Sequence, residues 1–210
     1  MARLLRPRII GLTHHVIQRG NNKSEIFRAS NDYELFLAAV AEACTLHDVT
    51  INAYALMTNH VHLMMTPQTA DGISRAMQSI GRRYVYYFNH VYDRTGGLFE
   101  GRYRATVIDN ETYWFTCARY VELNPIRAGL AVRPEEYRWS SCRSHALGIA
   151  NRLLTHHDLY VRLGDSPRAR QEAWRAILGE AVPDDQLEVL RSTLQRGTGV
   201  RPQRRVDSRG

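Results

Sequence analysis

TINAYALMTNHVHLMMTP, residues 50–67, contains two apolar runs, TINAYALM and HVHLMMTP, on either side of Thr58–Asn59. It reads as two successive strands with a tight connection or bulge at Thr58–Asn59, and Pro67, which has no amide proton for a ladder, ends the second. Upstream, Asn31 and Asp32 open a helix over residues 33–48, where Leu35, Phe36, Ala39, Val40 and Ala43 follow helical spacing. Before it, IIGLTHHVIQ (9–18) is short and β-branched, and RGNNKS follows as loop chemistry. Downstream, residues 71–92 read as a helix, GGLFEGRYRATVID (96–109) as a turn and a strand, and 110–124 as another helix. The order strand, helix, strand, strand, helix, strand, helix is that of the split βαβ pattern. The expected fold is α+β: a ferredoxin-like antiparallel sheet with helices on one face, plus a helical C-terminal extension. We divide the chain into a catalytic domain over 1–150, a helical extension over 151–200 with helices at 167–179 and 184–197, and a disordered basic tail over 201–210.

The 28 basic residues outnumber the 21 acidic ones, for a net charge of +7, and all but Lys23 are arginine. That balance favours a polyanionic partner. The three cysteines, Cys44, Cys117 and Cys142, are odd in number and form no CxxC pair, so neither a disulfide framework nor a structural zinc cluster is expected. No apolar run approaches the roughly 18 residues of a membrane helix, and no secretory leader opens the chain. A cytoplasmic protein without a membrane partner is expected. A P-loop is absent, since Lys23 follows Asn22 rather than glycine.

On a strand, residues i and i+2 share a face, so His60 and His62 would stand side by side with Val61 turned away. Two neutral imidazoles at that spacing can share a metal ion. Nine histidines in 210 positions give roughly 0.4 such pairs by chance, so the pair alone is a weak motif. A second stretch, ARYVELNPIRAGL (118–130), sets Tyr120 and Asn124 four apart, on one helical face if the helix reaches 124. Pro125 disfavours helical geometry at Asn124 and would leave its amide free to turn outward at the helix end. On spacing alone, a nucleophile with a metal ligand and a packed tyrosine with a capping asparagine are both open readings.

Together NHVHLMM, GGLFEGRYRATVID, YVELNPIRAGL and YRWSS resemble the single-tyrosine HUH transposases, and among them most closely the REP-associated tyrosine transposases, relatives of the IS200-type enzymes. HHVIQRGNNKSEIF resembles that family's first strand and loop, and the likeness runs over roughly residues 9–145. The resemblance implies His60, His62 and Asn124 as ligands of a magnesium or manganese ion and Tyr120 as the nucleophile. It also implies a ferredoxin-like sheet and single-stranded DNA as substrate, beside a hairpin. Both monomeric and dimeric arrangements occur in the family. The implied reaction is DNA cleavage and rejoining through a 5′-phosphotyrosine, which keeps the bond energy and needs no nucleotide hydrolysis.

RRYVYYFNHVYDR (82–94) interleaves arginine with aromatics and offers Arg82, Arg83 and Tyr87 as a DNA-binding surface, or a helix packed through Val85, Phe88 and Tyr92. Arg102 and Arg104 alternate on a predicted strand and face either DNA or solvent. Of His14 and His15, which point to opposite faces, at most one approaches the metal. Tyr113, two turns before Tyr120, is the reserve nucleophile. The His-Asp pairs at 47–48 and 157–158 fall at helix ends or loops. Two rival functions remain: a nucleic-acid-binding regulator that no longer cuts, and a metal hydrolase of small phosphates.

Overall fold

The computed structural model describes residues 9–180. Four strands, β1 (His14–Arg19), β2 (Val49–Met57), β3 (His60–Pro67) and β4 (Arg104–Val107), form one sheet in the order β2-β3-β1-β4, antiparallel throughout. This is the ferredoxin-like arrangement. Helices α1 (Ser30–Leu46) and α2 (Gly72–Val91) are its crossovers. Their Phe36, Val40, Ile80, Tyr84 and Phe88 pack with Val16, Leu56, Val61, Leu63 and Met65 of the strands. These two helices share one face, as expected. The opposite face is covered as well, by α3 (Glu111–Arg127), by α4 (Cys142–Leu147) and, from the extension, by α5 (Asp158–Val161) and α6 (Pro167–Gly179). Trp114, Cys117, Ala118 and Val121 of α3 meet Ala53, Ala55, Met57 and Met64 there, and Trp174 of α6 completes the layer. Cys44, Cys117 and Cys142 are buried free thiols.

A bulge in β2 makes the second layer possible. Ile51 pairs with Met65 and Ala53 with Met64, so Asn52 has no partner of its own. The extra residue turns Ala53 and Ala55 toward α3, where their small size admits a close helix, and leaves Ile51, Tyr54 and Leu56 facing α1 and α2. The Asn52 side chain accepts a hydrogen bond from Thr66 at 2.7 Å and donates to the Thr155 carbonyl at 3.0 Å, joining sheet to extension.

Two of the boundaries that differ from the sequence reading bear on the site. β1 starts at His14 rather than residue 9, because Gly11 takes a left-handed turn (φ 76°) and its N–H bonds the Pro67 carbonyl. α3 continues through Pro125 to Arg127 instead of ending at 124. The proline sits one turn from the end, and Ala128 and Leu130 bond the carbonyls of Asn124 and Pro125, so the last turn closes from downstream. Both α4 and the extension are locked to α3 through Glu122, which is fully buried. Its carboxylate accepts from Ser141 and from the Trp174 indole at 2.9 Å, and lies 2.6 Å from Nδ1 of His145. The expected helix over 184–197 and the tail over 201–210 lie outside the described residues.

Candidate active site

Strand pairing fixes what the α3 face presents. Cross-strand partners point the same way, so Arg19, His60 and Met57 form one row, Arg104, Ile17, His62 and Ala55 the next, and Thr106, His15, Met64 and Ala53 a third. His60 and His62 stand together with ring centroids 4.9 Å apart. Above them α3 brings Tyr120, whose ring lies 5.7 Å from that of His62 and 6.2 Å from that of His15. Asn124 follows one turn on. Its amide is not turned free at a helix end: Nδ2 donates to the Tyr120 carbonyl at 2.9 Å, which leaves Oδ1 as the available atom. The Arg127 guanidinium lies over the Tyr120 ring, 5.2 Å from its centroid.

Burial dominates the electrostatics. It holds the imidazole of His15 down at about 3, with His60 adding to the effect, and that of His60 at about 4, helped by the Arg19 charge. His62 is held well below its ordinary value by burial first and then by His15, His60 and Arg19. All three are therefore neutral near pH 7, the state a metal ligand requires. Nε2 of His62 is buried without a hydrogen-bond partner, so a lone pair there fits a divalent cation. No group of three or more His, Cys, Asp or Glu is placed to hold a metal among the described residues, so the histidine pair would need an amide oxygen, phosphate or water to complete a coordination shell.

Of the arginines and tyrosines read as DNA-binding, only Arg104 joins this group, exposed at the β4 edge. Arg82, Arg83 and Tyr87 ride on α2, behind the sheet. Arg83 is ion-paired with Glu42, and the Tyr87 hydroxyl donates to the buried Asp32 carboxylate at 2.9 Å, so the second reading of that segment, a packed helix, describes much of it. Arg102 lines a separate cleft of about 460 Å³ with Gln18, Met77, Ile80, Phe99 and Tyr103. Tyr113 is packed among the α3 core residues with its hydroxyl unpartnered, and burial raises its pKa. Near the His-Asp pairs, His47 bonds Ser79 and His157 caps α5.

Three residues of the site escaped the sequence. His15 was one of two open choices, and His14 instead faces away with Nδ1 against the Leu12 carbonyl at 2.8 Å. Arg19 shares the parity of His15 and Ile17, which the β1–β3 register alone connects to His60. Arg127 lies seven residues after Tyr120 on the same helical stripe, a signal hidden by the expected stop at Pro125.

No curated protein matches the sequence. Among solved structures, that of a REP-associated tyrosine transposase bound to a REP hairpin superposes with a TM-score of 0.57 at 18% identity, covering 75% of this chain and 93% of that one. A crystal structure from Deinococcus radiodurans reaches a TM-score of 0.40 at 19% identity, covering 53% of this chain and 89% of that one. The first likeness is one of fold. The family model described as "Transposase IS200 like" matches residues 9–124, more than half of the chain and a span that carries the sheet, both histidines, Tyr120 and Asn124. The chain belongs to the IS200-like transposase family.

Proposed function

We propose that this transposase cuts and rejoins single-stranded DNA through Tyr120, with magnesium or manganese held by His60, His62 and Asn124, in a strand flanking a hairpin. The observation that carries the reading is the meeting of His62 and Tyr120 across the sheet face, ring centroids 5.7 Å apart, from β3 and α3. The Tyr120 oxygen attacks the scissile phosphorus and loses its proton. The P–O3′ bond breaks, the 3′ oxygen takes up a proton, and a 5′-phosphotyrosine remains. Attack by a 3′-hydroxyl reverses these steps and restores the tyrosine. A bound divalent ion would neutralise charge on the non-bridging oxygens and polarise the phosphate. Arg19, Arg104 and Arg127 supply positive charge around the same face, and they replace the α2 arginines as the preferred path of the DNA backbone.

The test incubates the protein and manganese with hairpins carrying a single-stranded flank, labelled at the 5′ or the 3′ end, and resolves the products on a denaturing gel. A covalent protein–DNA adduct is expected with the wild type and not with Tyr120→Phe. Hairpin binding without any adduct in the wild type would instead favour a regulator that does not cut.

A further inference from the structure

Both histidines on β3 are held from behind. Nδ1 of His60 lies 2.6 Å from Oδ1 of Asn59, and the other end of that amide, Nδ2, donates to the Lys23 carbonyl at 3.0 Å. A carbonyl only accepts, so the Lys23 contact fixes which end of the amide faces His60: the oxygen. His60 must then carry its proton on Nδ1, and its lone pair is on Nε2. In the loop that carries this carbonyl, Asn22 and Lys23 are both left-handed, at φ 50° and 58°.

His62 is held by a second imidazole. Its Nδ1 is 2.8 Å from Nε2 of His15, with both residues buried. One proton lies between the rings. If His15 donates it, neutral His62 must carry its own proton on Nε2 and cannot bind a cation there. If His62 donates it, the lone pair moves to Nε2, the atom that is buried and without a partner, and neutral His15 carries its own proton on Nδ1, which is likewise buried without a partner.

We propose that Asn59 and His15 are positioning residues that accept the Nδ1 protons of His60 and His62 and so commit both rings to present Nε2 to one divalent cation. This rests on the metal reading given above. His15 is thereby a partner of a ligand rather than a ligand through Nε2, since that atom faces the His62 ring. An acceptor behind each ligand fixes its orientation and raises its basicity, and loss of such a partner typically weakens metal binding about 10–100-fold.

Two measurements on the full chain test this. Manganese titration followed by the free-ion electron paramagnetic resonance signal should show about 10–100-fold weaker binding in His15→Phe and in Asn59→Leu. Asn59→Asp, which keeps the acceptor, should bind at least as well as wild type. Histidine ¹⁵N NMR of the wild type should find His60 as the Nδ1–H tautomer without metal, and His62 as that tautomer with magnesium bound, a readout that mere packing would not produce and that needs no variant to fold. An Nε2–H tautomer at either ring with magnesium bound would overturn the proposal. So would unchanged affinity in both His15→Phe and Asn59→Leu while His60→Ala and His62→Ala abolish binding. If the two alanine variants also bind manganese normally, the metal reading itself falls and takes this inference with it.

Discussion

Tyr113 and Tyr120 show how much context decides what one residue can do. Both lie on α3 half-buried against the same core, yet the Tyr113 hydroxyl is buried without a partner and its phenol pushed up by burial, whereas Tyr120 faces the histidines. Tyr113→Phe should leave adduct formation within about threefold of wild type, since a buried hydroxyl without a partner contributes little. Mapping of the adduct peptide to Tyr113 would contradict the assignment. The buried histidines also make folding sensitive to acid. Each has a depressed pKa in the folded state and an ordinary one when unfolded, so the unfolded chain binds more protons below about pH 6.5. Their contribution is fully present above that pH and falls toward pH 4, by up to about 1.4 kcal/mol per pH unit for each histidine. Urea melts between pH 7.5 and 4.5 should show this slope, reduced in His15→Phe, and a flat profile in the wild type would refute it. That His60 and His62 share a face was legible because local spacing sets which way a side chain points, whereas the roles given to them and to Tyr120 came from the resemblance. His15 and Arg19 were not, because their neighbours are set by a register that joins segments more than forty residues apart.

Among elements, the four strands and the two crossover helices followed from hydrophobic period and turn residues, and the errors were at ends. The bulge at Asn52 left no local mark, because an extra residue in an apolar run is visible only against the opposing strand. It nevertheless determines which face each of the preceding and following residues joins. Asn52→Ala should cost about 1–3 kcal/mol, since the buried Thr66 hydroxyl loses its acceptor and the Thr155 carbonyl its donor. A denaturant midpoint equal to wild type would show that the bulge holds without its side chain. The path of α3 beyond Pro125 was equally hidden: the proline removes one donor, but the bonds that close the final turn come from residues after it.

For the molecule as a whole, net charge pointed to a polyanion, and the family match makes that partner DNA. Where the charge gathers was not readable from the chain. The arginines of α2 were read as either a DNA surface or part of a packed helix, and the sheet separates them from Tyr120, while Arg19, Arg104 and Arg127 come from three distant segments to the same side. If about six phosphates are neutralised there, affinity for a hairpin with a single-stranded flank should fall roughly a thousandfold between 50 and 200 mM salt. Arg104→Ala should flatten that dependence by about one phosphate contact, and Arg82→Ala should not. Equal effects from the two variants would return α2 to the DNA path.

The lock between Glu122 and the extension has a mechanical side. On the proposed function, a strand joined to Tyr120 would be a lever on α3, and any tug on the DNA a load on that helix. Two residues along, Glu122 is moored to Ser141 and to Trp174 and lies beside His145, so the load passes to α4 and α6 as well as to the sheet. If Tyr120 forms the proposed phosphotyrosine, α4 and α6 would act as ballast for it, keeping it in register with the histidines until a 3′-hydroxyl arrives.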